Sequence, residues 1–123
     1  CHMVPGTGFD HMWIHRRRQF NTHAGKLASS TLDMKRGGIW MDEACEMHGN
    51  SRLLIASDGA GRGNPGPGSA ACIIWCCHED ESYVVALSTI YIEFTTSVMA
   101  EFTAACMGAQ LLAKFVQLRQ GSL

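Results

Sequence analysis

Little in this chain is charged: 17% of its 123 residues are Asp, Glu, Lys or Arg, and the net charge is −1. Overall basicity therefore gives no pointer to nucleic acid. No apolar run approaches the roughly 18 residues of a membrane-spanning helix, and no charged-then-apolar leader opens the chain. The six cysteines, Cys1, Cys45, Cys72, Cys76, Cys77 and Cys106, include no C-x-x-C pair. Cys76 and Cys77 are neighbours in a predicted strand and so point to opposite faces, whereas Cys72 and Cys76 share one. They read as small buried apolar residues in an intracellular, reducing compartment, not as a disulfide framework. His11 and His15 have helical spacing but no glutamate between them and no third ligand in view, which argues against a zinc site. The one basic cluster, Arg16-Arg17-Arg18, reads most simply as a solvated patch. The length suits one domain with a modest core. The chain opens on Cys1, which suggests a fragment or a processed chain.

What the sequence does have is a dense run of glycine and proline, from Ser57-Asp58-Gly59-Ala60-Gly61-Arg62 to Gly63-Asn64-Pro65-Gly66-Pro67-Gly68. It follows the apolar run Leu53-Leu54-Ile55-Ala56 and precedes a second one, Ala70 to Cys77. This reads as strand, acidic residue, tight loop, strand. A carboxylate at the mouth of a buried strand is costly unless it is paired or binds a cation. Asp58 is thus a candidate metal ligand, with an Asx-turn residue as the structural alternative. Gly61 to Gly66 literally satisfy G-x-G-x-x-G. That fingerprint needs a helix N-terminus after it. Pro67, Gly68 and a strand-like run follow instead, and the prolines remove N–H donors. These features argue against a dinucleotide loop, and the lack of a Gly-Lys-Ser/Thr ending excludes a Walker A loop.

Ser51–Ser57 is predicted as strand one, Ala70–Cys77 as strand two and Ser82–Phe94 as strand three, with a polar turn at His78-Glu79-Asp80-Glu81. Consecutive hairpins make a meander. Thr95-Thr96-Ser97 offers hydroxyls for an N-cap. With Ser97 as cap, Glu101 falls in the first turn, favoured there by the helix dipole. The helix should run to about Leu118 and bury a face of Phe102, Ala105, Ala109, Leu112 and Val116. Ala104, Ala105, Ala109 and Ala113 are small enough to let it approach the sheet closely. Residues 1–50 show no sustained period and are taken as an unclassified N-terminal extension or linker, with short helices possible around Met12–Phe20 and Trp40–His48.

Asp58-Gly59-Ala60 with Gly63-Asn64-Pro65-Gly66-Pro67-Gly68, and downstream Thr95-Thr96-Ser97-Val98-Met99-Ala100-Glu101-Phe102-Thr103-Ala104-Ala105, resemble the two leading blocks of the ribonuclease H type 1 family. The resemblance spans residues 51 to about 118. It implies an α/β, ribonuclease H-like fold in residues 51–123: a three-stranded antiparallel meander followed by a helix, truncated before the fourth strand. It implies metal-dependent endonucleolytic hydrolysis of the RNA strand of RNA–DNA hybrids, with Mg²⁺ or Mn²⁺ as cofactor. Asp58 and Glu101 would be the catalytic metal ligands, and Asn64, Thr96 and Ser97 the contacts to the hybrid's groove. Val98 stands where the family commonly has Asn, and Met99 where it often has a basic or polar residue. Two of the family's four carboxylates fall outside the match, so residues 1–123 alone are expected to be inactive. The alternatives are a catalytically degenerate nucleic-acid-binding module and a retroelement-derived remnant.

Overall fold

The computed structural model describes residues 10–45 and 49–121, with side chains for residues 18–45 and 49–119. Its elements are helix α1 (Asp10–Met34), strands β1 (Gly38–Met41), β2 (Arg52–Gly61), β3 (Gly66–His78) and β4 (Glu81–Thr95), and helix α2 (Ser97–Gly121). The fold is α/β: one open antiparallel sheet in the order β1-β4-β3-β2, with two helices. β2, β3 and β4 form the meander that the apolar runs predict. Each strand is longer than its run. The ladder pairs on through the glycines, Gly59 with Ala70 and Gly61 with Gly68. No helix starts between Gly63 and Ala70, so the glycine loop joins two antiparallel strands.

Strand alternation divides the core in two. Leu54, Ala56, Ile73, Trp75 and Cys77 pack with Phe20 and Ala24 of α1, while Cys72, Ile74, Cys76 and Val85 pack with Leu111 and Phe115 of α2. Cys76 and Cys77 thus face opposite sides, and Cys72 shares a side with Cys76, as the pattern predicts. Of the five described cysteines, Cys45, Cys72, Cys76 and Cys77 are buried and Cys106 is exposed. Burial pushes the Cys72 thiol up to about 11.

Residues 1–50 contain more than the sequence reading finds. α1 continues through Gly25 to Met34, and β1, which includes Trp40, pairs with β4 from Gly38↔Thr89 to Met41↔Ala86. The stripe that holds α1 to the sheet is Phe20, Ala24, Leu27, Ala28, Thr31 and Leu32, mostly of small or medium size. It has helical spacing, but the conspicuous large residues nearby do not share it. The Phe20 and Trp75 rings lie 4.5 Å apart, and the buried Ser69 hydroxyl donates to the Ala28 carbonyl at 2.5 Å. His11, His15, Arg16 and Arg17 fall in α1, but their side chains, and Cys1, lie outside the described residues.

The face that α2 buries also differs. Ala100, Ala104, Gly108, Leu111 and Phe115 meet the sheet, whereas Phe102, Ala105, Ala109 and Val116 are exposed. Apolar residues surround most of this helix, so their spacing does not single out a face. Close approach does: a Cβ on Gly108 would lie 3.3 Å from Ile55 Cγ2. Of the four alanines expected to permit the approach, only Ala104 is buried.

Candidate functional site

β2 is a straight extension of the apolar run, and its alternation decides where Asp58 points. Leu54 and Ala56 face α1, so Asp58 does too. A Cβ built on Gly25 of α1 would lie 2.9 Å from Asp58 Oδ2, so the carboxylate rests where the helix lacks a side chain. Asp58 Oδ1 accepts a hydrogen bond from the Gly59 N–H at 2.9 Å. The carboxylate is half-buried. The contact to the next residue's N–H is one residue short of the Asx-turn pattern.

Gly59 faces the other side of the sheet and touches the first turns of α2. A Cβ there would lie 2.6 Å from the Ala100 carbonyl carbon and 2.7 Å from the Glu101 nitrogen. Only glycine allows this approach of strand and helix backbones. The two sequence blocks, some forty residues apart, therefore meet at one corner of the fold. Asp58 leaves that corner towards α1, and Glu101 is exposed on α2.

Asn64, Thr96 and Ser97 also come together. Asn64 Oδ1 accepts from the Ser97 N–H at 3.0 Å, and Thr96 Oγ1 accepts from the Met99 N–H at 3.2 Å. Thr96, not Ser97, is thus the N-cap, the residue whose side chain accepts from the third helical N–H. Ser97 is the first helical residue and Glu101 the fifth, just beyond the first turn. Dipole stabilisation, which fades after that turn, is weak there. The Asn64 oxygen and one lone pair of the Thr96 hydroxyl serve the fold. Asn64 and Ser97 are both exposed residues.

The donor chemistry of this corner is hard carboxylate oxygen, which suits Mg²⁺ or Mn²⁺. Mg²⁺ is commonly held by one or two carboxylates, with water and substrate phosphate completing its shell, so Asp58 and Glu101 fit it in kind. Among the described residues no three His, Cys, Asp or Glu side chains gather at one point. Away from this corner, a cavity of about 300 Å³ is lined by Met41, Asp42, Phe115 and Arg119, and another of about 200 Å³ by Ile39, Ser88, Met107 and Lys114. The Arg119 guanidinium donates to the carbonyls of Asp42 and Glu43 and lies over the Phe115 ring, so the larger cavity is a seam between α2 and the segment after β1. No described helix is long and apolar enough to cross a membrane.

No protein-family model, curated protein or solved structure gives a significant match to this chain.

Proposed function

We propose that this chain is a nucleic-acid-binding domain of the ribonuclease H type 1 kind, directed at RNA–DNA hybrids, with Asp58 and Glu101 as ligands for Mg²⁺ or Mn²⁺. The observation that carries this reading is the Gly59 contact. It joins the strand end bearing Asp58 to the helix turn bearing Glu101, and Asn64 ties the glycine loop to the same helix. When bound, a divalent ion in such a site neutralises phosphate charge and activates water for phosphodiester hydrolysis. The chain's own part is to present two carboxylate ligands, to hold Asp58 against Gly25, and to offer the Asn64 amide and the Ser97 hydroxyl to backbone or 2′-hydroxyl oxygens. Such contacts read A-like shape and not base sequence.

Within residues 1–123 the resemblance supplies two of four metal-binding carboxylates, so the expected activity is binding without appreciable cutting. Fluorescence anisotropy with a labelled RNA–DNA hybrid and a DNA duplex of the same sequence tests this. The expected result is Mg²⁺-dependent preference for the hybrid, reduced at least about fivefold in Asp58→Asn and in Glu101→Gln. Equal affinity for both duplexes, indifferent to Mg²⁺ and to both substitutions, would refute the reading.

A further inference from the structure

Near the β3–β4 hairpin, two cysteines from distant segments meet one tyrosine. Cys76 of β3 lies directly opposite Tyr83 of β4. Cys45, in the segment after β1, places its Sγ 3.7 Å from the Tyr83 hydroxyl oxygen. Cys76 is hydrogen-bonded to the same hydroxyl. Both thiols are buried in the core beneath α2, whereas Tyr83 is 41% exposed, so the cluster reaches the surface at this ring.

The backbone is shaped to make this meeting. Ile74 pairs with Ala86 but Trp75 with Val84, so β4 carries one extra residue, Val85. Without that residue, alternation from Ala86 would turn Tyr83 to the α1 side. The bulge re-aims it at Cys76, a use of bulges that recurs beside functional sites. The segment bearing Cys45 is held too. The Asp42 N–H donates to the Val85 carbonyl at 2.8 Å, and the Ala44 N–H to Asp42 Oδ1 at 3.0 Å. Arg119 of α2 donates to the carbonyls of Asp42 and Glu43.

Hydrogen bonds to Cys76 and to Cys45 hold the Tyr83 proton above its ordinary range. Tyr83 therefore stays a donor, and a donor aimed at two sulfurs favours their thiolates. Thiolates are metal ligands, and they select soft ions: Cu⁺, Zn²⁺ or iron–sulfur clusters. Structural zinc sites and iron–sulfur clusters take four ligands, and among the described residues no third His, Cys, Asp or Glu joins these two. Cu⁺, with a filled d shell, accepts two thiolates in line. Met41, whose thioether is also soft, packs against the same cluster. We propose that Cys45 and Cys76 form a Cu⁺ site, with the Tyr83 hydroxyl donating to a ligating sulfur. On binding, two S–H bonds break, two Cu–S bonds form and two protons leave to solvent, with no change in copper's oxidation state. The resulting pair of thiolates carries one net negative charge, and the Tyr83 O–H offsets part of the cost of burying it. The inference does not rest on the hybrid reading.

Anaerobic titration with Cu⁺ held as its bicinchoninate complex tests the site, in a background of Cys1→Ser and Cys106→Ser that removes the terminal and the exposed thiol. The chain should take up a single ion, read from loss of the complex's colour. Cys45→Ala and Cys76→Ala should each weaken uptake by about a hundredfold or more. Tyr83→Phe, which keeps the ring, should weaken it by about tenfold, as loss of a hydrogen bond to a ligand does. Cys72→Ala, in the same core, should leave it unchanged. Circular dichroism checks that each variant folds, and one measurement needs no variant. In the unsubstituted chain, Cu⁺ should slow N-ethylmaleimide alkylation of Cys45 and Cys76 by about tenfold or more, mapped by mass spectrometry, and leave Cys72 and Cys77 as they were. No uptake, uptake indifferent to Cys45→Ala, Cys76→Ala or Tyr83→Phe, or protection spread evenly over all the buried thiols would overturn the proposal. So would a pair that closes to a disulfide under oxidised glutathione yet takes no Cu⁺ when reduced.

Discussion

Asp58 and Gly25 show how one missing side chain can set a functional group. In a helix interior, glycine costs about 1 kcal/mol relative to alanine. α1 accepts that cost at the point where Asp58 Oδ2 comes to rest. A methyl group there would meet the carboxylate at 2.9 Å, and the movable partner is the aspartate, not the helix backbone. Gly25→Ala should therefore change stability little, within about 1 kcal/mol by urea unfolding. It should weaken Mg²⁺-dependent hybrid binding severalfold, because Asp58 must turn away. A clear gain in stability with hybrid binding unchanged would show that the Gly25 contact has no part in positioning Asp58. Asp58's direction is legible in the sequence: it follows from parity with Leu54 and Ala56 once β2 is known to be covered on both sides. Gly25 is not legible, because nothing in residues 1–50 announces that they pack on this strand.

Among elements, the start of α2 carries the most structure per residue. The Thr96 side chain caps the Met99 N–H, and Asn64 reaches across from the glycine loop to the Ser97 N–H. Removing a cap of this kind costs about 1 kcal/mol. Thr96→Ala should lower the urea midpoint accordingly, and Thr96→Ser should restore most of it. Equal loss in both variants would assign Thr96 a packing role instead. The strands of the meander were legible because continuous apolar runs bounded by a glycine loop and a polar turn leave few alternatives. Their ends were not, since the ladder extends through Gly59–Gly61 and Gly66–Gly68, which have no side-chain pattern to read. The buried face of α2 was misread for a related reason. Phe102 and Val116 are larger than Ala104 and Gly108, yet the small residues win the sheet because they let the backbones approach. In α1 the stripe from Phe20 to Leu32 is visible at helical spacing, but Gly25 and the unrelated large residues around it conceal the continuity. Four-residue β1 is too short for alternation to show.

For the whole molecule, the sheet divides two cores, and the Cys72 thiol lies fully buried in the one beneath α2. Burial raises its pKa from 9.0 to about 11 in the folded chain. The unfolded chain loses this proton first. The contribution to stability is complete below pH 9 and declines as pH rises through the window from 9 to about 11. The total is roughly 2–3 kcal/mol at most. Urea unfolding between pH 8 and 11 should show the decline, and Cys72→Ala should flatten it; an undiminished decline in that variant would place the alkaline sensitivity elsewhere.

The central proposal is that Asp58 and Glu101, which leave the Gly59 corner on opposite sides of the sheet, hold one cation. Titrating Mn²⁺ into isotope-labelled protein, with amide signals followed by NMR, tests it most directly. Signals of residues 58–61 and 98–102 should broaden together, with one apparent affinity near the millimolar end for oxygen-ligand sites. Both sets should recover in Asp58→Asn and in Glu101→Gln alike. Broadening of the two segments with separate affinities, or broadening that survives either substitution, would contradict the shared site.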